Sequence, residues 1–374
     1  MKDPESADGK KLVVCLDGTW VRADKGKYDS NVVHLYRPMP GEDKSPDQIG
    51  GPAEQPSTPT LKWYDPGVGT RRGHKILGGA LGKGRSRNIR EGCKFLIDNY
   101  VAGDEVYLFG FSRGAYTARS LAGLIRKISI LKKENEPEKD PDDNVRITDG
   151  YEVYRLRDAS PDAPISKGFR ETFSWPGIRI KFLGVWDTVG SLGIPLSFFR
   201  SQNDQRFGFH DTKLSRTIDN AYHAMAIDEH RVDYQATPWD PSGDHSQKME
   251  QVWFVGAHSD VGGGSGMTSL SQKTLGWMRD KAMLDGHGLQ FTQSGDSGDS
   301  TQDYPAAAPS DPWDELKLRL LRLLRLKKDE RKFRPVGATL FRNETVHQTA
   351  QLKIKRDAGY RTGNLGLWDS RFRN

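Results

Sequence analysis

Short unbroken apolar runs in this chain alternate with stretches in which apolar positions recur every third or fourth residue. The runs Lys11–Leu16, Leu61–Tyr64, Asp104–Gly110, Ile178–Trp186 and Gln251–Val255 predict strands. Residues 88–101, 115–130 and the stretch from Leu270 through Met278 predict helices, and Ala118, Leu121, Ala122 and Ile125 share one face of the second. Ala224–Arg231 reads as a further helix-like run. Strands alternating with helices indicate an α/β fold, with a mostly parallel sheet flanked by helices. Stretches rich in Gly, Pro and charge at 40–60, 67–84 and 132–144 predict long polar loop insertions.

The same pattern divides the chain. Residues 1–10 read as a flexible N-terminus, 11–290 as the main domain, and 291–312 as a low-complexity Ser/Gly/Asp/Ala/Pro linker or loop. The segment 313–374 begins with a basic amphipathic helix, Trp313 to Lys328. Trp313, Leu316, Leu320, Leu321, Leu323 and Leu324 fall on one face, while Leu318 and Leu326 stray from it. The expected role of this segment is packing on the main domain. A lid, a partner helix or a peripheral membrane contact are the alternatives.

Composition narrows this picture only slightly. Of 374 residues, 35% are hydrophobic and 28% charged, enough for a large core with an extensive polar surface. Two cysteines, Cys15 and Cys93, both fall in predicted elements and read as buried thiols, not as a disulfide framework. Residues 1–10 carry no apolar signal segment, and no run is long enough to span a bilayer. The expectation is a cytoplasmic protein, or one exported by a route that reads no signal peptide. A net charge of +6 without a basic stripe interleaved with aromatics argues against a nucleic-acid partner.

Chemistry concentrates where the run Val106–Phe109 meets Gly110-Phe-Ser112-Arg-Gly114 and a small-residue helix start. Glycine accounts for 40 residues, so G-x-S-x-G alone is a weak signal. Its place between strand and helix is the sequence form of a nucleophile elbow, in which a tight turn presents the serine Oγ above the sheet edge. The bland alternative is a glycine-rich turn with a capping serine.

A serine hydroxyl needs a histidine to take its proton and an acid to fix that histidine's tautomer. In α/β-hydrolases these follow in the order serine, acid, histidine, at strand C-terminal ends. Asp187 closes the strand in Gly184-Val-Trp-Asp-Thr-Val-Gly190, and His258 follows the strand in Trp253-Phe-Val-Gly-Ala-His258. Asp260 competes as the acid, but two residues from His258 it is poorly placed to reach the ring Nδ1. Asp228 and His230 read as an ion-paired structural cluster, and His223 and His347 as lone structural histidines. An oxyanion hole needs two backbone N–H groups. Arg113 would supply one at the N-terminus of the following helix, and Gly18 or Thr19, after the first strand, the other. Asp17 and Asp260 then read as residues that support the site.

Other chemistries fit less well. Val14-Cys-Leu-Asp-Gly-Thr19 approaches the D-x-D-G-T of haloacid-dehalogenase phosphatases, but Cys15 stands where the nucleophilic aspartate belongs. The glycines of 67–84 miss both a P-loop and a dinucleotide-binding fingerprint in spacing. A metal-dependent phosphoesterase using Asp17, Asp187, His258 and Asp260 stays open, as does a non-catalytic scaffold that binds a membrane or partner.

Leu16-Asp-Gly-Thr-Trp20, Asp65-Pro-Gly-Val-Gly-Thr70, Gly110–Arg119, Gly184–Gly190, Ala226–Arg231, Trp253–Gly264 and Gly276-Trp-Met278 occur in one order across 11–290. In this set the chain resembles the α/β-hydrolase domain family that includes the first class of type VI secretion phospholipase effectors. Val255 and Ser265 depart from the family pattern at non-catalytic positions. The family's large extra membrane-engaging domain has no counterpart in these residues. The resemblance implies an α/β-hydrolase-like fold and an ester or phospholipid substrate. It assigns Ser112 as nucleophile, Asp187 as acid and His258 as base, and implies no metal or other cofactor. For an effector it also implies a secretion or immunity partner.

Overall fold

Lys11–Leu16 forms strand β1 in the computed structural model, and its alternation sorts the sheet into two faces. Leu12, Val14 and Leu16 enter one buried cluster, and Val13 and Cys15 enter another on the opposite side. The structure describes residues 9–18, 28–50, 56–67, 80–133, 144–156, 158–190, 213–241, 246–266, 268–284, 288–292, 308–311, 331–337, 343–357 and 359–360.

Among these residues the strands are β1, β2 (Glu42–Asp43), β3 (Thr60–Asp65), β4 (Glu105–Phe111), β5 (Ile180–Trp186), β6 (Ile218–Ala226), β7 (Lys248–Phe254) and β8 (Glu344–Val346). They make one sheet in the order β2-β3-β1-β4-β5-β6-β7-β8, and every neighbouring pair is parallel. The helices are α1 (Asn31–Tyr36), α2 (Ala80–Asn99), α3 (Arg113–Ile128), α4 (Val145–Arg155), α5 (Pro164–Phe173), α6 (His258–Gly262), α7 (Ser269–Met283) and α8 (Gln348–Arg356). Helices α2 to α5 cover one face of the sheet, and α1 and α7 cover the other. This is the mostly parallel α/β sheet that the alternation predicts, and the α/β-hydrolase-like fold that the resemblance implies.

Strand order places the site. From β1 the chain goes outward to β2 and β3, then returns to β4 on the other side of β1. The connections leaving β1 and β4 diverge, and a crevice opens at the carboxyl ends of this neighbouring pair. Asp17-Gly18 follows β1 there, and Ser112 follows β4.

Some elements differ from the sequence expectation. Ala224–Arg231 is not helical: β6 runs through Ala226, between β5 and β7. Both faces of that strand are covered, Ala224 and Ala226 on one side and Met225 on the other, so no period-two polarity marks it. Helix α2 starts at Ala80, inside the stretch read as a glycine-rich loop, and β2 lies within the loop expected at 40–60. The C-terminal segment adds β8 to the sheet edge, and Val336, Val346, Ala350 and Tyr360 complete a third apolar cluster with Met225 and Trp253. Residues 1–8, most of the 291–312 linker and the Trp313–Lys328 helix lie outside the described residues. Among the described residues no helix is long and apolar enough to cross a membrane.

Candidate active site

Ser112 joins β4 to α3 with φ 58° and ψ −120°, a conformation that costs an L-residue on the order of 1–3 kcal/mol and persists only where its surroundings enforce it. Its N–H donates to the Trp186 carbonyl of β5 at 3.0 Å, and its carbonyl accepts from Tyr116 N at 3.2 Å. The flanking glycines are required sterically. A Cβ at Gly110 would lie 2.6 Å from Gly114 O, and one at Gly114 would lie 2.1 Å from Leu16 O and 2.5 Å from Asp17 O. Both clashes are with backbone, so side-chain repacking cannot relieve them. Gly114→Ala is therefore expected to destabilise the fold by on the order of 3 kcal/mol. The check is a lowered urea midpoint at unchanged m-value, and an unshifted midpoint would contradict it.

Asp187 ends β5 with its own positive φ of 40°, fixed by a hydrogen bond from its N–H to Ala224 O at 2.7 Å. His258 follows β7 as the first residue of α6. The structure brings the three together. Ser112 Oγ lies 2.8 Å from His258 Nε2, and His258 Nδ1 lies 2.6 Å from Asp187 Oδ2. An ionised Asp187 only accepts, so Nδ1 carries the proton and Nε2 accepts from the serine hydroxyl. The imidazole is held between rings, with Phe111 at 4.7 Å and Tyr234 edge-on at 4.9 Å. A Cβ on Gly262 would meet the Phe111 ring at 1.9 Å, so this glycine lets Phe111 take its place beside His258.

Asp187 is fully buried, which by itself would push its carboxyl up. Arg334 and His258 outweigh burial and hold it well below the usual carboxylate range. Arg334 is itself 1% exposed and grips both oxygens, Nη1 to Oδ1 at 2.6 Å and Nη2 to Oδ2 at 2.9 Å. Ala226 N donates to Oδ1 as well, at 3.0 Å. Burial also lowers His258, against the pull of Asp187, so a neutral ring is favoured. Behind it, Glu229 Oε2 accepts from His258 N at 3.3 Å, and both Glu229 oxygens pair with Arg231. His223 Nε2 accepts from Thr188 N at 3.1 Å, and burial pushes this ring down to about 3, so it braces the turn after Asp187 as a neutral acceptor.

Asp260 does not reach the imidazole ring. Its carboxylate accepts from Ala257 N at 2.9 Å, Ser310 N at 2.8 Å and Ser310 Oγ at 2.7 Å, so it closes the His258 turn and holds residue 310. Asp17 accepts from Ser30 Oγ at 2.6 Å, Gly18 N at 2.7 Å and Tyr64 OH at 2.8 Å. Burial nevertheless pushes its carboxyl up to about 7. The Gly18 amide is thus turned back onto Asp17, and Thr19 lies outside the described residues. Arg113 opens α3, with its amide at the positive end of that helix. Of the four residues weighed as metal ligands, Asp187 and His258 pair with each other, while Asp17 and Asp260 each accept from their own donors. Among the described residues no group of three or more His, Cys, Asp or Glu is placed to hold a metal. Cys15 and Cys93 are buried free thiols, Cys93 pushed up to about 12 by burial.

Sequence reasoning missed Arg334, along with the pairing of Glu229 to the His258 backbone. Nothing in the basic run Arg331-Lys-Phe-Arg334 distinguishes a buried guanidinium from solvated ones. Two more carboxylates near the site take partners from the chain beyond residue 290, Asp228 from the C-terminal segment and Asp260 from the stretch before it. Tyr360 OH donates to Asp228 at 2.9 Å, and Ser310 holds Asp260 as above.

Comparison with known proteins places these residues in context. The family described as "T6SS, Phospholipase effector Tle1-like, catalytic domain" matches residues 10–281. An uncharacterized protein of Saccharomyces cerevisiae is 26% identical over 260 residues, covering 63% of this chain and 33% of its own length. The crystal structure of an uncharacterized protein from Pseudomonas aeruginosa aligns with TM-score 0.43 and 18% identity, over 76% of this chain and 47% of that one. The Tle1 effector, solved bound to the VgrG spike of the type 6 secretion system, aligns with TM-score 0.32 and 18% identity over 68% of this chain and 51% of that one. The chain thus spans about half, or less, of the length of these relatives.

Proposed function

The chain belongs to the Tle1-like phospholipase effector catalytic-domain family of type VI secretion, and from that premise we propose that it is a serine hydrolase cleaving carboxylic esters, phospholipid acyl esters foremost. The observation that carries this reading is the continuous relay Ser112 Oγ–His258 Nε2 and His258 Nδ1–Asp187 Oδ2, at 2.8 and 2.6 Å.

In this reaction Ser112 Oγ attacks the ester carbonyl while His258 Nε2 takes its proton, and Asp187 stabilises the imidazolium. The tetrahedral intermediate collapses to an acyl-serine. His258 returns the proton to the departing alkoxide, which leaves as a lysophospholipid. Water, deprotonated by His258, then releases the fatty acid and restores Ser112. The Arg113 amide holds the oxyanion. Gly18 N is engaged by Asp17, so of Gly18 and Thr19 the sequence leaves the Thr19 amide as the second donor. Arg334 acts as a positioning residue, fixing Asp187 bidentately and tempering the charge that the carboxylate presents to the ring.

The test is a fluorophosphonate probe applied to the full chain, with the modified peptide mapped by mass spectrometry. Labelling should fall on Ser112 and block release of fatty acid and lysophospholipid from vesicles. A hydrolytically active wild type that takes no label would overturn the mechanism. Acid-limb behaviour offers a second check. Only the neutral ring acts as base, so activity is present above the His258 pKa and is lost as pH falls through it. Burial lowers that pKa, so the limb of kcat/KM on a soluble ester should lie below the ordinary imidazole value of about 6.5. A limb above that value would contradict the assignment. For the biological setting we propose delivery by a secretion system that reads no signal peptide, with a secretion partner and an immunity partner.

A further inference from the structure

A cavity of about 610 Å³ opens away from the triad, between α3, the α4–α5 connection and the start of β6. Ser112, Asp187 and His258 sit at the carboxyl ends of the strands, whereas this cavity lies where β6 begins. Helix α3 links the two places: Arg119 stands seven residues beyond Ser112, about 10 Å along the axis. The cavity is lined by Arg119, Arg126 and Lys127 of α3 and by Lys213 and Arg216 from the segment before β6. Among the described residues no carboxylate lines it. Its floor is apolar, formed by Leu183, Leu214, Ile218 and Trp239.

The inner cations are fixed by neutral acceptors. Lys127 Nζ donates to the carbonyls of Tyr154 and Leu156, and Arg119 donates to Thr237 O while its guanidinium lies 4.7 Å over the Trp239 ring. Carbonyl oxygens satisfy N–H groups without cancelling the charge. Two carboxylates stand near: Asp162, 3.3 Å from Arg126 Nη2, and Asp240, whose charge acts on Arg119. Favourable alignment with the C-terminal end of α3 accounts for Arg126 and Lys127. It does not account for Lys213 and Arg216, which arrive from another element on the same cavity.

We infer that this cavity is a second ligand site, for a small phosphate-bearing amphiphile. A phosphate offers up to two negative charges and several acceptor oxygens, which suits converging arginines and lysines better than a single carboxylate does. The volume falls in the usual range for small-molecule pockets, and Leu183, Leu214, Ile218 and Trp239, themselves packed in the core, present apolar atoms to it beside the cations. The ligand therefore places its phosphate among the cations and a short apolar chain against that floor.

The experiment is calorimetric titration of the full chain with an ether-linked short-chain lysophosphatidic acid below its micellar concentration, since an ether linkage cannot be hydrolysed. Inorganic phosphate and a fatty acid of the same chain length form the comparison arms. Lys213 and Arg216 are exposed, so the double variant Lys213→Gln/Arg216→Gln should keep its fold and its rate on a soluble ester. The expected result is saturable binding of the ether lipid, at least tenfold weaker in the double variant and at least tenfold weaker for either comparison ligand. Ser112→Ala should bind the ether lipid as well as wild type does. Absence of binding, or equal affinity in wild type and double variant, would overturn the inference. Competition by fluorophosphonate labelling would also overturn it, because the lipid would then be at the triad. Equal affinity for inorganic phosphate would reduce the site to a bare anion site and overturn the amphiphile assignment. The inference does not rest on the hydrolase reading: failure of the probe to label Ser112 leaves binding in this cavity unchanged.

Discussion

Ser112→Ala is expected to lower kcat for ester hydrolysis by roughly 10⁴- to 10⁶-fold, the range seen when an activated serine is removed and only the remaining site contacts act. Fluorophosphonate labelling should vanish with it, while the stability from urea unfolding stays within about 0.5 kcal/mol of wild type. The structure gives a reason for expecting both together. Ser112 stands at the N-cap of α3, where a serine side chain ordinarily accepts a helix N–H and its loss costs about 1 kcal/mol. Here the side chain makes no capping hydrogen bond and points to His258 Nε2 instead. A residue that served only as a cap would show the reverse result, lost stability with hydrolysis intact. Hydrolysis retained in this variant would sink the serine mechanism.

Arg334→Met should have the largest effect on stability, about 3–5 kcal/mol, because it leaves the Asp187 carboxylate buried without its guanidinium. Packing is approximately kept by the methionine, so the loss reports charge. The sign of the accompanying pH effect follows from the same contacts. Without Arg334, Asp187 presents its full negative charge to the imidazole, so the His258 pKa rises and the acid limb of kcat/KM moves to higher pH. Arg334→Lys should recover part of the stability and part of the limb position, since it restores the charge but not the two-pronged grip. Urea titration and pH–rate profiles on the three proteins are the measurements. A limb that stays in place in Arg334→Met would reduce Arg334 to a packing role.

The positions of the proposed triad were legible in the sequence for a physical reason. Gly110 and Gly114 answer to backbone clashes that no larger residue escapes, and Asp187 and His258 are polar residues set at the ends of apolar strands. Other features leave no such mark. Strand β6 is buried on both faces and rich in alanine, so its residues carry no alternation to separate strand from helix. Arg334 lies 147 residues from Asp187, among other basic residues, and only the tertiary fold selects it. The direction of the Gly18 N–H is a backbone matter that residue identity does not encode.

The chain beyond residue 281 has a consequence in time. Ser310, Arg334 and Tyr360 hold Asp260, Asp187 and Asp228, and all three lie beyond residue 281, where the family match ends. During synthesis Ser112, Asp187 and His258 leave the ribosome well before the residue that neutralises Asp187. Until Arg334 arrives, Asp187 has no guanidinium partner. A chain cut short after 281 would keep Ser112, Asp187 and His258 and lose the guanidinium that neutralises Asp187.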